Sequence, residues 1–228
     1  MKLLIIACEV LKNELEAVSV PGVRLEFLEQ GLHRIPSKMP LAIQEKIHQA
    51  ADDVDYVMLG YGSCGSGVLG VKAEKKPLVI PKAHDCISLY LGSIKAHQRE
   101  HQKNPGTYYL TKGWIEQAKS PMASLEEYTE RYGRETAEWI IGEEFKHYTR
   151  IVLVHTGVYD PAAYRDHARA NAEFLGIAYE EIKGSLAFFE KMVTGPWSEE
   201  DFVILQPGEE VTQRTFLTLI GCQVPQAK

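Results

Sequence analysis

Lys2-Leu3-Leu4-Ile5-Ile6-Ala7-Cys8 is the stretch that decides the fold. Its apolar residues run on without polar alternation, as in a strand covered on both faces, the habit of parallel sheets lying between helix layers. Tyr56-Val57-Met58-Leu59-Gly60 and Pro77-Leu78-Val79-Ile80-Pro81 repeat the pattern. Between them, residues 10–18 place Val10, Leu11, Leu15 and Val18 at helical intervals, and residues 23–28 alternate Val, Leu and Phe with Arg and Glu as a second strand does. Ser37 reads as the N-cap of a helix over 41–51 with Ile43, Ile47 and Ala50 on one face. Strand and helix thus alternate as in a doubly wound sheet.

Farther along, 107–111 reads as a short strand with two tyrosines, and 125–148 as one long charged helix whose apolar side is Tyr128, Tyr132, Trp139, Ile140 and Phe145. Residues 150–154 form a buried strand ending at His155-Thr156-Gly157, and Asp160-Pro161 begins a helix through residue 174. Residues 179–193 read as an amphipathic helix with Ile182, Leu186, Phe189 and Val193 on one face, and 201–205 as a last strand. The expected class is α/β: three layers, a doubly wound and mostly parallel sheet, and a helical insertion around residues 115–148. With no repeat and no linker, a single domain over 1–228 is expected.

The 228 residues are 45% apolar and 25% charged, ordinary for a globular chain, and the formal charge of −6 leaves no basic stripe for nucleic acid. No stretch approaches the ~18 apolar residues of a membrane span, and the short apolar run at residues 2–7 lacks a signal peptide's cleavage site. A cytoplasmic location is expected, where cysteines serve as ligands or catalysts more often than as disulfides.

Three of the four cysteines stand where a buried strand gives out. Cys8 ends the first run, Cys64 lies in Gly60-Tyr61-Gly62-Ser63-Cys64-Gly65-Ser66-Gly67, and Cys86 follows Pro81-Lys82-Ala83-His84-Asp85. In neighbouring parallel strands those ends open on one crevice, where open α/β sheets bind ligands. The glycine loop lets a backbone approach a ligand closely through Gly62, Ser63 and Gly65, and it leaves Cys64 in an exposed turn. It lacks the phosphate-binding and nucleophile-elbow spacings. Cys86 at a helix start, near Lys82 and His84, is expected to have a lowered pKa. Without a Cys-x-x-Cys pair, three convergent thiols point to an iron–sulfur cluster or to Zn with one open position. The rival arrangement is three independent buried thiols. His84 reads as ligand or general base with Asp85 orienting it, or the two as an N-cap pair. His155 faces the same crevice or bonds to backbone, and His33-Arg34 is an anion contact or plain surface. Tyr108 and Trp114 wall a planar ligand or belong to the core, and Cys222 is incidental.

Gly31-Leu32-His33-Arg34-Ile35-Pro36, Gly60–Gly65, Pro81–Ile87, Leu91-Gly92-Ser93, Pro105–Trp114, Gly195-Pro196-Trp197 and Gln206-Pro207-Gly208 together resemble the bacterial and archaeal family "domain of unknown function 1638", over about residues 1–210. His155 departs from the acidic residue expected in relatives. The resemblance implies a setting beside corrinoid-dependent methyltransferase systems. The expected function is a metal- or cluster-binding protein in corrinoid-linked one-carbon (methyl) metabolism. It would act on a small-molecule substrate or a corrinoid protein, as a methyltransferase, a redox enzyme or a non-enzymatic metal or corrinoid carrier. The metal-free alternative uses Cys64 and Cys86 as a pair of thiol bases, resembling aspartate/glutamate racemases.

Overall fold

The structure is a computed structural model and describes residues 1–35, 37–50, 52–117 and 120–219. Cys222 lies outside them. Strand β1 (Leu3–Cys8) is buried at every position, and β3 (Tyr56–Gly60) and β4 (Leu78–Pro81) nearly so. Each Leu or Ile covered in this way contributes about 1.5–3 kcal/mol relative to leaving it in water. With β2 (Val23–Leu28) and β8 (Phe202–Leu205) these strands form a sheet of order β2-β1-β3-β4-β8, parallel except for β8. The chain passes from β1 outward to β2 and then crosses back to β3 on the other side. The topological switch therefore lies between β1 and β3, at the edge where Cys8 sits.

The α/β class and the mostly parallel pairing hold, and one expectation is corrected: the strands divide into two sheets. The second is three-stranded and parallel, β5 (Thr107–Leu110), β6 (Arg150–His155) and β7 (Ala178–Lys183) in that order. Val152 and Val154 of β6 nonetheless pack into the main core with β1, β3 and β4. Helices α1 (Lys12–Val18), α2 (Met39–His48), α3 (Ile87–Tyr90) and α4 (Ile94–Lys103) lie in the first half of the chain. Between β5 and β6, α5 (Lys112–Gln117), α6 (Pro121–Tyr132) and α7 (Arg134–Phe145) form the helical insertion; α8 (Ala162–Leu175), α9 (Ala187–Thr194) and α10 (Gln213–Leu219) follow.

Three local expectations give way. The stretch 125–148 is two helices, because Gly133 at φ 83° turns the chain; Leu125 of α6 packs back on Ala137 and Ile141 of α7, and Trp139 is left exposed. Residues 179–193 are a strand and a helix, since Gly184 binds the His155 carbonyl and ends the strand. Ser37 caps nothing: α2 begins at Met39, with Pro40 fixing the first turn.

Candidate functional site

The ends of β3 and β4 are drawn together by backbone. After β3, the Ser63 N–H donates to the Ala83 carbonyl at 2.8 Å and the Cys64 N–H to the His84 carbonyl at 3.2 Å. The Ser63 hydroxyl, buried, donates to the same His84 oxygen at 2.7 Å. Such close lacing requires Gly62, where a Cβ would meet the Ala83 oxygen at 2.6 Å. Gly65 lies in the 3-10 turn Cys64–Ser66. Cys64 itself sits at φ 43° and Ser66 at φ 78°, the left-handed region that costs a non-glycine residue about 1–2 kcal/mol.

Cys8 is buried and Cys64 and Cys86 half-buried in the same core cluster; none forms a disulfide. Cys64 lies in the field of Cys8, and Cys86 in the field of both. Burial pushes the Cys8 thiol up to about 11. Burial and then Cys8 push Cys64 up to about 12. Burial, Asp85 and then the other two thiols drive Cys86 well above the ordinary thiol range. This corrects the expected lowering at Cys86. Helix α3 has only four residues, and the Asp85 carboxylate, an anion, takes the Ile87 N–H at 2.9 Å. It also corrects the open setting expected for Cys64.

Cys64 and Cys86 line a cavity of about 280 Å³ whose wall includes His33, Tyr108 and Trp114. The Trp114 Nε1–H donates to the Tyr108 hydroxyl at 3.3 Å, and Tyr108 meets Tyr148 edge-on at 5.3 Å. Both expected wall residues are thus brought to the thiols. Three buried polar atoms nearby have no hydrogen-bond partner among the described residues: the Tyr61 hydroxyl, which feels Cys8 and Cys64, the Tyr109 hydroxyl and His33 Nε2. Burial lowers the His33 pKa, so its imidazole is held neutral.

His84 is largely exposed and faces Asp85, Nδ1 to Oδ2 at 3.6 Å; that carboxylate raises its pKa. Asp85 serves as both cap and imidazole partner. Burial opposes its ionisation, yet His84, His97 and the Ile87 N–H hold its pKa below the usual carboxylate value. His155 ends β6 in the second sheet, in register with Lys183, and lines neither this cavity nor the larger one beside it.

Sequence reasoning passed over Tyr61 and His97. The one legible signal was His97 and His101 at helical spacing in Ile94–Lys103.

The thiols, with a neutral imidazole in reach, are a soft donor set suited to zinc or iron. Their spacing is less accommodating: among the described residues no three His, Cys, Asp or Glu side chains are grouped to hold one metal ion. Nor, among them, is any helix long and apolar enough to cross a membrane.

No curated protein and no solved structure matches the chain. A family model does, over residues 27–193, a span that takes in Cys64, Cys86, His33, Tyr108 and Trp114 but begins after Cys8. By that match, which covers well over half its length, the chain belongs to the family described as "Protein of unknown function (DUF1638)".

Proposed function

We propose that this protein binds an iron–sulfur cluster through Cys8, Cys64 and Cys86 and presents it to a small molecule or a corrinoid protein in one-carbon metabolism. The observation that carries the reading is the convergence of three free thiols at the carboxyl ends of β1, β3 and β4, two of them facing one aromatic-walled cavity. Three soft thiolates drawn from three separate strand ends, with no Cys-x-x-Cys pair among them, suit a cluster.

When bound, a cluster with three protein ligands supplies an iron open to an external ligand and a route for electrons. The chain's residues do the rest. The lacing of Ser63 and Cys64 to the backbone of Ala83 and His84 holds the Cys64 turn against the segment that leads to Cys86. Tyr108 and Trp114 wall the cavity. His33 Nε2 and the Tyr61 hydroxyl supply polar contacts that the core leaves unused. Burial raises the pKa values of the Cys64 and Cys86 thiols, which weighs against a metal-free pair of thiol bases at neutral pH.

The test is anaerobic purification with cluster reconstitution. Iron and sulfide bound to the chain, with broad absorption near the visible edge, are expected, and loss of both in Cys8→Ser, Cys64→Ser and Cys86→Ser. A colourless chain holding stoichiometric zinc would replace the cluster by zinc. No retained metal at all would leave the thiol-base reading in its place.

A further inference from the structure

Beyond Asp85, Thr107, Tyr109 and Tyr148, which line both spaces, the thiol cavity adjoins a larger one of about 830 Å³. The cluster reading makes no use of it. Three lysines reach its rim. Lys95 pairs with Glu200 and Lys191 with Asp201, each at 2.6 Å, so those charges cancel. Lys82 differs: its ammonium donates to the Glu199 carbonyl, a neutral acceptor, and no carboxylate pairs with it among the described residues. An ammonium has three donors, so two remain.

Helix α4 contributes Ile94, His97 and His101 to the same space; Ile94 also packs against the main core, which fixes the helix beside the cavity. His97 is held in place. Its Nδ1 meets the Ser88 hydroxyl at 2.9 Å and Asp85 Oδ1 at 3.8 Å, while its ring lies edge-on to Tyr109 at 6.0 Å. With Nδ1 accepting from the Ser88 hydroxyl, Nε2 carries the ring proton and is the edge left to donate to a ligand.

We propose that the larger cavity is a binding site for a small carboxylate- or phosphate-bearing ligand, whose anionic oxygens are met by Lys82 Nζ and His97 Nε2. The uncompensated ammonium supplies charge, the fixed imidazole direction, and the volume falls within that of small-molecule sites. The site stands whether or not the thiols hold a cluster.

The full chain is titrated calorimetrically with inorganic phosphate and, separately, with succinate at low ionic strength. Saturable binding of at least one anion is expected, and the tighter of the two identifies the head group. Lys82→Gln is expected to weaken it about tenfold or more, the weight of one charge-assisted hydrogen bond. His97→Ala weakens it as well. Lys75→Gln, whose ammonium pairs with Asp52 on an exposed surface, leaves affinity unchanged. Cys64→Ser is expected to bind the anion as the wild type does, so that failure of the cluster reading and of this one are seen separately. Absence of saturable binding, or equal losses in Lys82→Gln and Lys75→Gln, would overturn the inference.

Discussion

The two sheets share parallel pairing and differ in what holds them. In the five-stranded sheet, β1, β3 and β4 are almost wholly buried and present apolar side chains alone, so cohesion comes from area removed from water. The three-stranded sheet has an apolar cluster of its own, with Leu110, Ile151 and Leu153, and is tied in addition by a charge. Arg150, buried at the start of β6, donates to the Thr107 hydroxyl of β5 at 2.9 Å and to Glu100 of α4 and Glu180 of β7. The lesson is a division of labour. The apolar sheet supplies rigid strand ends on which thiols can be placed, and the charged one supplies the polar and aromatic wall that faces them.

Substitutions in each sheet should break that contrast in different ways. The largest effect is expected from Ile5→Ala in β1, about 2–5 kcal/mol. Denaturant unfolding followed by fluorescence and by circular dichroism should shift together, because the whole core depends on that strand. Arg150→Ala is expected to cost about 2 kcal/mol, the cost of breaking a buried pair discounted for partners that keep some solvent. Hydrogen exchange should rise in β5, β6 and β7 while β1 and β3 stay protected; a uniform rise would erase the distinction between the sheets.

The smallest effect concerns the seam. Glu14 of α1 is buried and accepts from the Thr156 hydroxyl, just past β6, at 2.9 Å. Burial raises its pKa above the ordinary carboxylate value. Below the unfolded-state pKa both states hold the proton and nothing is lost. As pH rises from there through the folded-state pKa, the unfolded chain gives up its proton first and stability falls. Glu14→Gln removes that cost, so its gain in Tm over the wild type should be larger at about pH 8 than at about pH 4. A gain independent of pH would mean that the carboxyl does not titrate on unfolding.

What the sequence disclosed follows the same contrast. A strand buried on both faces announces itself as an unbroken apolar run, so β1, β3 and β4 were legible almost to the residue, and with them the shared edge of Cys8, Cys64 and Cys86. An outer strand does not. In β7 the half-buried Ile182 is spaced so that it merges with Leu186, Phe189 and Val193 into a helical stripe, and only Gly184 marks the break. Thiol acidity was misread for another reason. Helix-end and lysine effects are visible in sequence, whereas desolvation and the repulsion of distant cysteines exist only once the sheet is wound. His97 was missed because its meaning depends on Ser88 and Asp85 arriving at one ring nitrogen.

Cys64 holds its left-handed turn at a conformational disadvantage, because a residue without a side chain would take φ 43° freely. Folding alone would therefore run better with the smallest amino acid at this point. The sulfur is present despite the backbone's preference, and a chain relieved of that tension would be sturdier and would give up one of the two thiols that line the cavity.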